Sequence, residues 1–168
     1  MIAGGDDSAA WIARFQAESN AVGVAEAERR LLARAQDIGA EFALSLAAAL
    51  LRQQRVALAA TLLDQSLLQQ PAMAALHVLR GNALRMLGHA HEAETSLRRA
   101  LELDPTMQDA SLSLAFLLRE QGRLGAAAEV MLDAWRVRPS SRDDAVGLNH
   151  VIHNFESPSI NRSGDVIG

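Results

Sequence analysis

The chain has 168 residues, of which 49% are hydrophobic but only 4% aromatic, and it carries a net charge of −4 and no cysteine. This length allows one domain or a short array of repeats, and the mild acidity provides no general attraction to nucleic acid or to an anionic membrane, so neither is expected as a partner. The lack of cysteine excludes disulfides and thiolate zinc sites, and the abundance of alanine and leucine predicts an all-α fold.

The N-terminal region is predicted to form two short helices, over residues 8–19 and 24–38. Residues 1–39 are therefore interpreted as an N-terminal helical hairpin. The start of the chain, MIAGGDDSAA, lacks the basic segment of a secretory signal, and no stretch is apolar enough to span a membrane, so a cytoplasmic protein is expected. Trp11 and Phe15 lie four residues apart and share one helix face, which we expect to cover the helices that follow. The alternative is an exposed face that forms a homodimer through the N-terminal helices.

A repeat of 34 residues follows the hairpin. Residues 74–107 align with residues 108–141 without a gap, and residues 40–73 fit the same period less closely. The small or helix-breaking residues that coincide in the two best repeats are Gly88 and Gly122, Ala93 and Ala127, Ala100 and Ala134, and Pro105 and Pro139. An ordinary helical bundle with an accidental period is the alternative, but several matched positions at one offset favour three tandem repeats.

Each repeat has the pattern of two amphipathic helices separated by a break. In the middle repeat the apolar spacing of three and four predicts helices over residues 74–87 and 90–103. Gly88 stands where the first helix ends and a left-handed backbone favours glycine, and Pro105 cannot continue the second helix. Small residues such as Gly81 are expected to let the two helices approach closely.

Residues after each proline are predicted to begin the next helix. Thr106 precedes Asp109, and Ser141 precedes Asp144, at the three-residue spacing of a capping box. At the turn of the first repeat, Gln54 occupies the position of the glycine, where a left-handed conformation would cost about 1 kcal/mol. We therefore expect a slightly altered turn at Gln54.

The pattern resembles the tetratricopeptide repeat, a helix–turn–helix unit of 34 residues. The residues that carry the resemblance in the middle repeat are Gly81, Leu84, Ala93, Leu97, Ala100 and Pro105. The resemblance implies a right-handed α-solenoid of three such units, at residues 40–73, 74–107 and 108–141. His77, Arg80 and Gln54 depart from the family pattern, where tryptophan, leucine and glycine are typical.

The C-terminal region continues with one further predicted helix. Residues 142–155 are interpreted as a C-terminal capping helix, and residues 156–168, which have no apolar period, as a flexible tail. A linker within a longer protein is the alternative interpretation of this change in composition.

No catalytic motif is found in the sequence. Phosphate-binding glycine loops, zinc-protease motifs and nucleophile elbows are lacking, so we expect a protein that is not an enzyme and that needs no cofactor. His150 and His153 share a predicted helix face, but two ligands are too few for a tight metal site, so no metal is expected.

The resemblance also implies a binding surface, since the first helix of each unit lines a concave groove in this family. The side chains that it places in the groove are Leu44, Ala48, Leu51, Val78, Asn82, Arg85, Met86, Leu112, Phe116 and Arg119. Some relatives hold a terminal carboxylate with a clamp of lysine, asparagine and arginine side chains. In this chain only Asn82 matches that clamp, so the groove is expected to bind a peptide with apolar anchors. The alternative is that Leu44, Leu112 and Phe116 pack as ordinary core or against the C-terminal tail.

The function that these features favour is a non-catalytic scaffold that binds a protein or peptide partner. Two alternatives remain: the N-terminal regulatory region of a larger enzyme, and a small secretion chaperone that dimerises through its N-terminal helices.

Overall fold

The computed structural model of the chain describes residues 8–34 and 39–137. These residues form eight α-helices and contain no strand, which confirms the all-α prediction. The helices are α1 (Ser8–Val22), α2 (Val24–Arg34), α3 (Ala40–Arg52), α4 (Val56–Gln69), α5 (Ala74–Met86), α6 (Ala90–Leu103), α7 (Gln108–Glu120) and α8 (Leu124–Val137). The predicted capping helix and tail lie outside the described residues. None of the eight described helices is long and apolar enough to cross a membrane.

Contacts divide the chain into two bodies, which are described separately. The N-terminal body contains α1–α6 and the C-terminal body contains α7 and α8. In the N-terminal body α3 packs against both α1 and α5, and α4 packs against α2, α3 and α5. The first helix of each hairpin (α1, α3 and α5) therefore lies in one layer and the second helix in another. The three-repeat division at residues 40–73, 74–107 and 108–141 stays a prediction, although one pair of helices lies within each range.

The turns between paired helices have the same geometry in all three cases. The second residue after the end of each first helix has a positive φ, of 61° at Gln54, 82° at Gly88 and 74° at Gly122. At each turn a backbone N–H donates to a carbonyl five residues earlier, as from Arg55 to Leu50 at 2.9 Å. These are Schellman motifs, which satisfy carbonyls at the end of the helix. The expectation of an altered turn at Gln54 is wrong, because this residue accepts the left-handed conformation instead.

The core of the N-terminal body follows the predicted apolar spacing. Leu46, Leu50, Leu62 and Leu63 are almost completely buried between α3 and α4, and small alanines fill the positions where helices approach. Gly81 shows the closest approach: a Cβ built on it would lie 2.6 Å from Cγ of Leu97 on α6. This confirms that the middle repeat depends on a small residue there.

The N-terminal hairpin packs on the first repeat through the predicted face. Phe15 is only 3% exposed, and the half-buried Trp11 meets Phe42 of α3 edge-on, with ring centroids 5.7 Å apart. These aromatic side chains therefore cover α3, as expected, and the alternative of an exposed aromatic face for self-association is not what the structure shows.

The start of α7 differs from the sequence prediction. The helix begins at Gln108 after Met107, which makes no side-chain capping bond. Thr106 instead donates its hydroxyl and its backbone N–H to the carboxylate of Asp104, at 2.6 and 2.9 Å. The predicted capping box of Thr106 with Asp109 is wrong because the turn places Thr106 one residue too early. The second predicted box, at Ser141 and Asp144, lies outside the described residues.

Candidate interaction surface

Side chains on the first helix of each repeat were predicted to form the binding surface. On α3, Leu44, Ala48 and Leu51 are half-buried, and the first and last of them pack against the core of the N-terminal body. They offer a partner only part of their apolar surface. Their main contribution is to packing.

On α5, the predicted side chains separate into buried and accessible ones. Val78 is 6% exposed and belongs to the core, so we leave it out of the proposed surface. Asn82 and Arg85 are half-buried and Met86 is exposed. The amide of Asn82 makes no hydrogen bond to the part of the chain that the structure describes. An amide in this state can donate to and accept from the backbone of a bound peptide.

On α7, the predicted side chains are the most accessible. Leu112 is 41% exposed and Phe116, one helical turn later, is 46% exposed. The guanidinium carbon of Arg119 lies 4.7 Å from the centroid of the Phe116 ring, within cation–π range. We call these three residues the α7 strip. The opposite face of α7, with Leu114, is buried, and α7 packs against α8.

The α7 strip forms because α7 carries two series of apolar residues, one on its buried face and one on its exposed face. Leu114 and Leu118 are four residues apart and fully buried, whereas Leu112 and Phe116 are also four apart but are displaced by two residues, about 200° around the helix. A helix with apolar residues on both faces has more apolar surface than its own hairpin buries. The excess is accessible on the α7 strip.

One cluster was missed by the sequence interpretation. Arg80 of α5 was noted only as a departure from the family pattern, but its guanidinium joins Asp64 of α4 and Ser96 of α6. His77, one turn before it, bonds through Nε2 to the carbonyl of Pro71 at 2.9 Å. The only signal in the sequence was that two polar residues stand where apolar ones are typical.

The described residues contain no group of three or more side chains suited to hold a metal ion. His150 and His153 lie outside those residues.

Comparison with known proteins agrees with the helical geometry. The family model "Tetratricopeptide repeat" matches residues 84–146. The chain is similar in structure to TTC0263, a thermophilic tetratricopeptide repeat protein of Thermus thermophilus, with 27% identity over 89% of this chain and 82% of that one and a TM-score of 0.61. It is also similar to MamA from AMB-1, with 27% identity, coverage of 77% and 72%, and a TM-score of 0.56.

A further MamA structure has a TM-score of 0.64 and covers 92% of both chains at 18% identity, which supports the fold alone. No curated protein matches the sequence.

Proposed function

We propose that this chain is a tetratricopeptide repeat protein, and that it is a non-catalytic scaffold that binds a peptide segment of a partner protein along the exposed faces of its first helices. The coarser part of this function, protein–protein interaction, is what the fold suggests. The finer part, peptide binding by named residues, rests on the α7 strip.

The main support for peptide binding is the pair of exposed apolar side chains on α7. Leu112 and Phe116 lie on one face, one turn apart, with close to half of each side chain in contact with solvent. Large apolar side chains adjacent to each other on a surface favour association, and aromatic residues are common among those that contribute most binding energy. Arg119 covers one face of the Phe116 ring and adds a cation at its edge.

The chemistry of the α7 strip indicates the kind of peptide that fits. An apolar side chain of the peptide would contact Leu112 and Phe116, and an acidic residue near it would be attracted to Arg119. On α5, Asn82 and Met86 offer the same combination of a polar group and an accessible apolar one. The peptide is therefore apolar with an acidic residue, and a terminal carboxylate is not required.

The experiment that tests this proposal compares partners recovered by affinity purification from the native host. Wild type, Phe116→Ala combined with Asn82→Ala, and the control Glu129→Ala are used as baits, since Glu129 is exposed on α8 and outside the proposed surface. We expect the double variant alone to lose the partner. Recovery of the same partner at the same level by all three baits, each shown by circular dichroism to be folded, would exclude the proposed surface.

A further inference from the structure

The middle repeat has an arginine at a position where its neighbours have a buried leucine. Arg80 is 34 residues from both Leu46 and Leu114, and each of these leucines is fully buried. Arg80 instead donates from Nε to Asp64 of α4 and from Nη1 to Ser96 of α6, at 2.6 Å for the latter. One side chain thereby connects three helices of the N-terminal body.

Asp64 and Arg80 also line a cleft between α4 and α5. The cleft has a volume of about 470 Å³ and is lined by Asp64, Leu67 and Leu68 of α4 and by His77 and Arg80 of α5, among others. Leu68 is 85% exposed, more than any other large hydrophobic side chain in the part of the chain that the structure describes. A projecting apolar side chain and a cleft are thus found on the same surface.

We propose that this surface binds a second copy of the chain, so that Leu68 of each protomer enters the cleft of the other. A two-fold interface requires a patch that is complementary to itself, because every contact between two residues across the interface occurs twice, once in each direction. The cleft meets this requirement in shape, since it holds both a projection and a recess.

The charges support a second copy over a different partner. Asp64 and Arg80 place both signs on one edge of the cleft, and one carboxylate oxygen of Asp64 and Nη2 of Arg80 make no hydrogen bond to any described residue. A partner segment of a single charge would be repelled by one of the two. A two-fold copy presents Arg80 to Asp64 and Asp64 to Arg80, so both groups gain an opposite charge.

This dimer differs from one formed by the N-terminal helices. Its contacts lie on α4 and on the side of α5 that carries His77 and Arg80, whereas Asn82 and Met86 lie on another face of α5. The inference does not depend on the proposed function, but a dimer would present two peptide-binding faces and so raise the avidity for a partner that has two motifs.

Sedimentation velocity at concentrations from about 1 μM to about 1 mM tests the proposal. We expect wild type to show a concentration-dependent dimer and Leu68→Arg to weaken it at least tenfold, with an unchanged circular dichroism spectrum because Leu68 is exposed. Val24→Arg, an exposed position on α2, is the matched control and should dimerise as wild type does. A wild type that stays monomeric throughout, or a Leu68→Arg variant that associates as wild type does, would overturn the proposal. Loss of the dimer in Val24→Arg alone would do the same.

A charge exchange gives a second measurement. Asp64→Arg should self-associate weakly because it places two cations on each protomer, and Arg80→Asp should do so because it places two anions there. An equimolar mixture of the two should form a heterodimer, since every pair across the interface is then attractive. If both variants are folded and their mixture stays monomeric, the proposed pairing is wrong; if Arg80→Asp does not fold, the Leu68→Arg result decides.

Discussion

The guanidinium carbon of Arg55 lies 4.6 Å from the centroid of the Phe15 ring, and its Nη2 donates to Glu28 at 2.6 Å. Arg55 belongs to the turn between α3 and α4, whereas Phe15 lies on α1 and Glu28 on α2. One side chain therefore binds both helices of the N-terminal hairpin to the first repeat.

Replacement of Arg55 should loosen that hairpin. We expect Arg55→Ala to lower the free energy of unfolding by about 1–2 kcal/mol, because a partly desolvated cation–π contact and an ion pair are both lost. Arg55→Lys should lose less, since the charge is kept but the planar stacking is not. Hydrogen exchange in α1 and α2 measures the effect directly. Arg52→Ala, an exposed arginine at the end of α3, is the control, and equal protection in both alanine variants would contradict the assigned role.

Substitution of Gln54 by glycine should stabilise the protein. The left-handed backbone at Gln54 costs a side-chain-bearing residue about 1–2 kcal/mol, part of which is offset by the extra freedom of glycine in the unfolded chain. We therefore expect Gln54→Gly to raise the free energy of unfolding by about 0.5–1 kcal/mol, measured by urea denaturation.

The matched change in the other direction is Gly88→Ala. A Cβ at Gly88 would meet nothing within 4 Å, so any loss comes from the backbone alone. A loss of about 1 kcal/mol is expected. If neither variant changes stability, the left-handed conformation at these turns does not carry the assigned cost.

Two helical glycines should respond oppositely to alanine. Gly125 in α8 has open space around it, so Gly125→Ala should gain up to about 1 kcal/mol of helix propensity. At Gly81 the same gain is opposed by overpacking against the fully buried Leu97, which costs about 1–3 kcal/mol. Gly81→Ala should therefore destabilise the chain in thermal and urea denaturation, and equal stabilisation by both variants would disprove the close approach of α5 and α6.

Val78 and Phe116 should separate stability from binding. Val78 is buried, so Val78→Ala should lower the free energy of unfolding by about 1–2 kcal/mol. Phe116→Ala removes a side chain that is 46% exposed and should lower the free energy of unfolding by only about 1 kcal/mol, from its covered part and its contact with Arg119, while it weakens binding of an identified peptide at least tenfold. Calorimetric titration and thermal melts of both variants test this contrast. A Phe116→Ala variant that melts much earlier than wild type would assign Phe116 to the core.

The sequence predicted the helices well because their signals are local. Apolar spacing, the glycines at the turns and the prolines after second helices act within a few residues, and α5 and α6 end within one residue of the predicted bounds. The start of α7 was missed for a similarly local reason: Asp104 competes for the hydroxyl of Thr106. The three-residue spacing of a capping box takes no account of that competition.

The binding surface was harder to predict because burial depends on neighbouring helices. Val78 and Phe116 are both apolar residues assigned to the same family surface, but only the packing around each one separates a core residue from an accessible one. The cleft beside Arg80 was missed for the same reason. Asp64 and Ser96 are each 16 residues from Arg80, on two other helices, and nothing in the sequence pairs them.

The bonds of Arg80 also limit how this chain can evolve or be engineered. A copy of residues 74–107 inserted elsewhere would carry an arginine whose carboxylate partner, Asp64, comes from the preceding repeat, and without that partner the half-buried cation would lose its ion pair. The middle repeat is therefore not interchangeable with its neighbours. Shuffling or duplication of modules in this array would succeed only if residues 64 and 80 were transferred together.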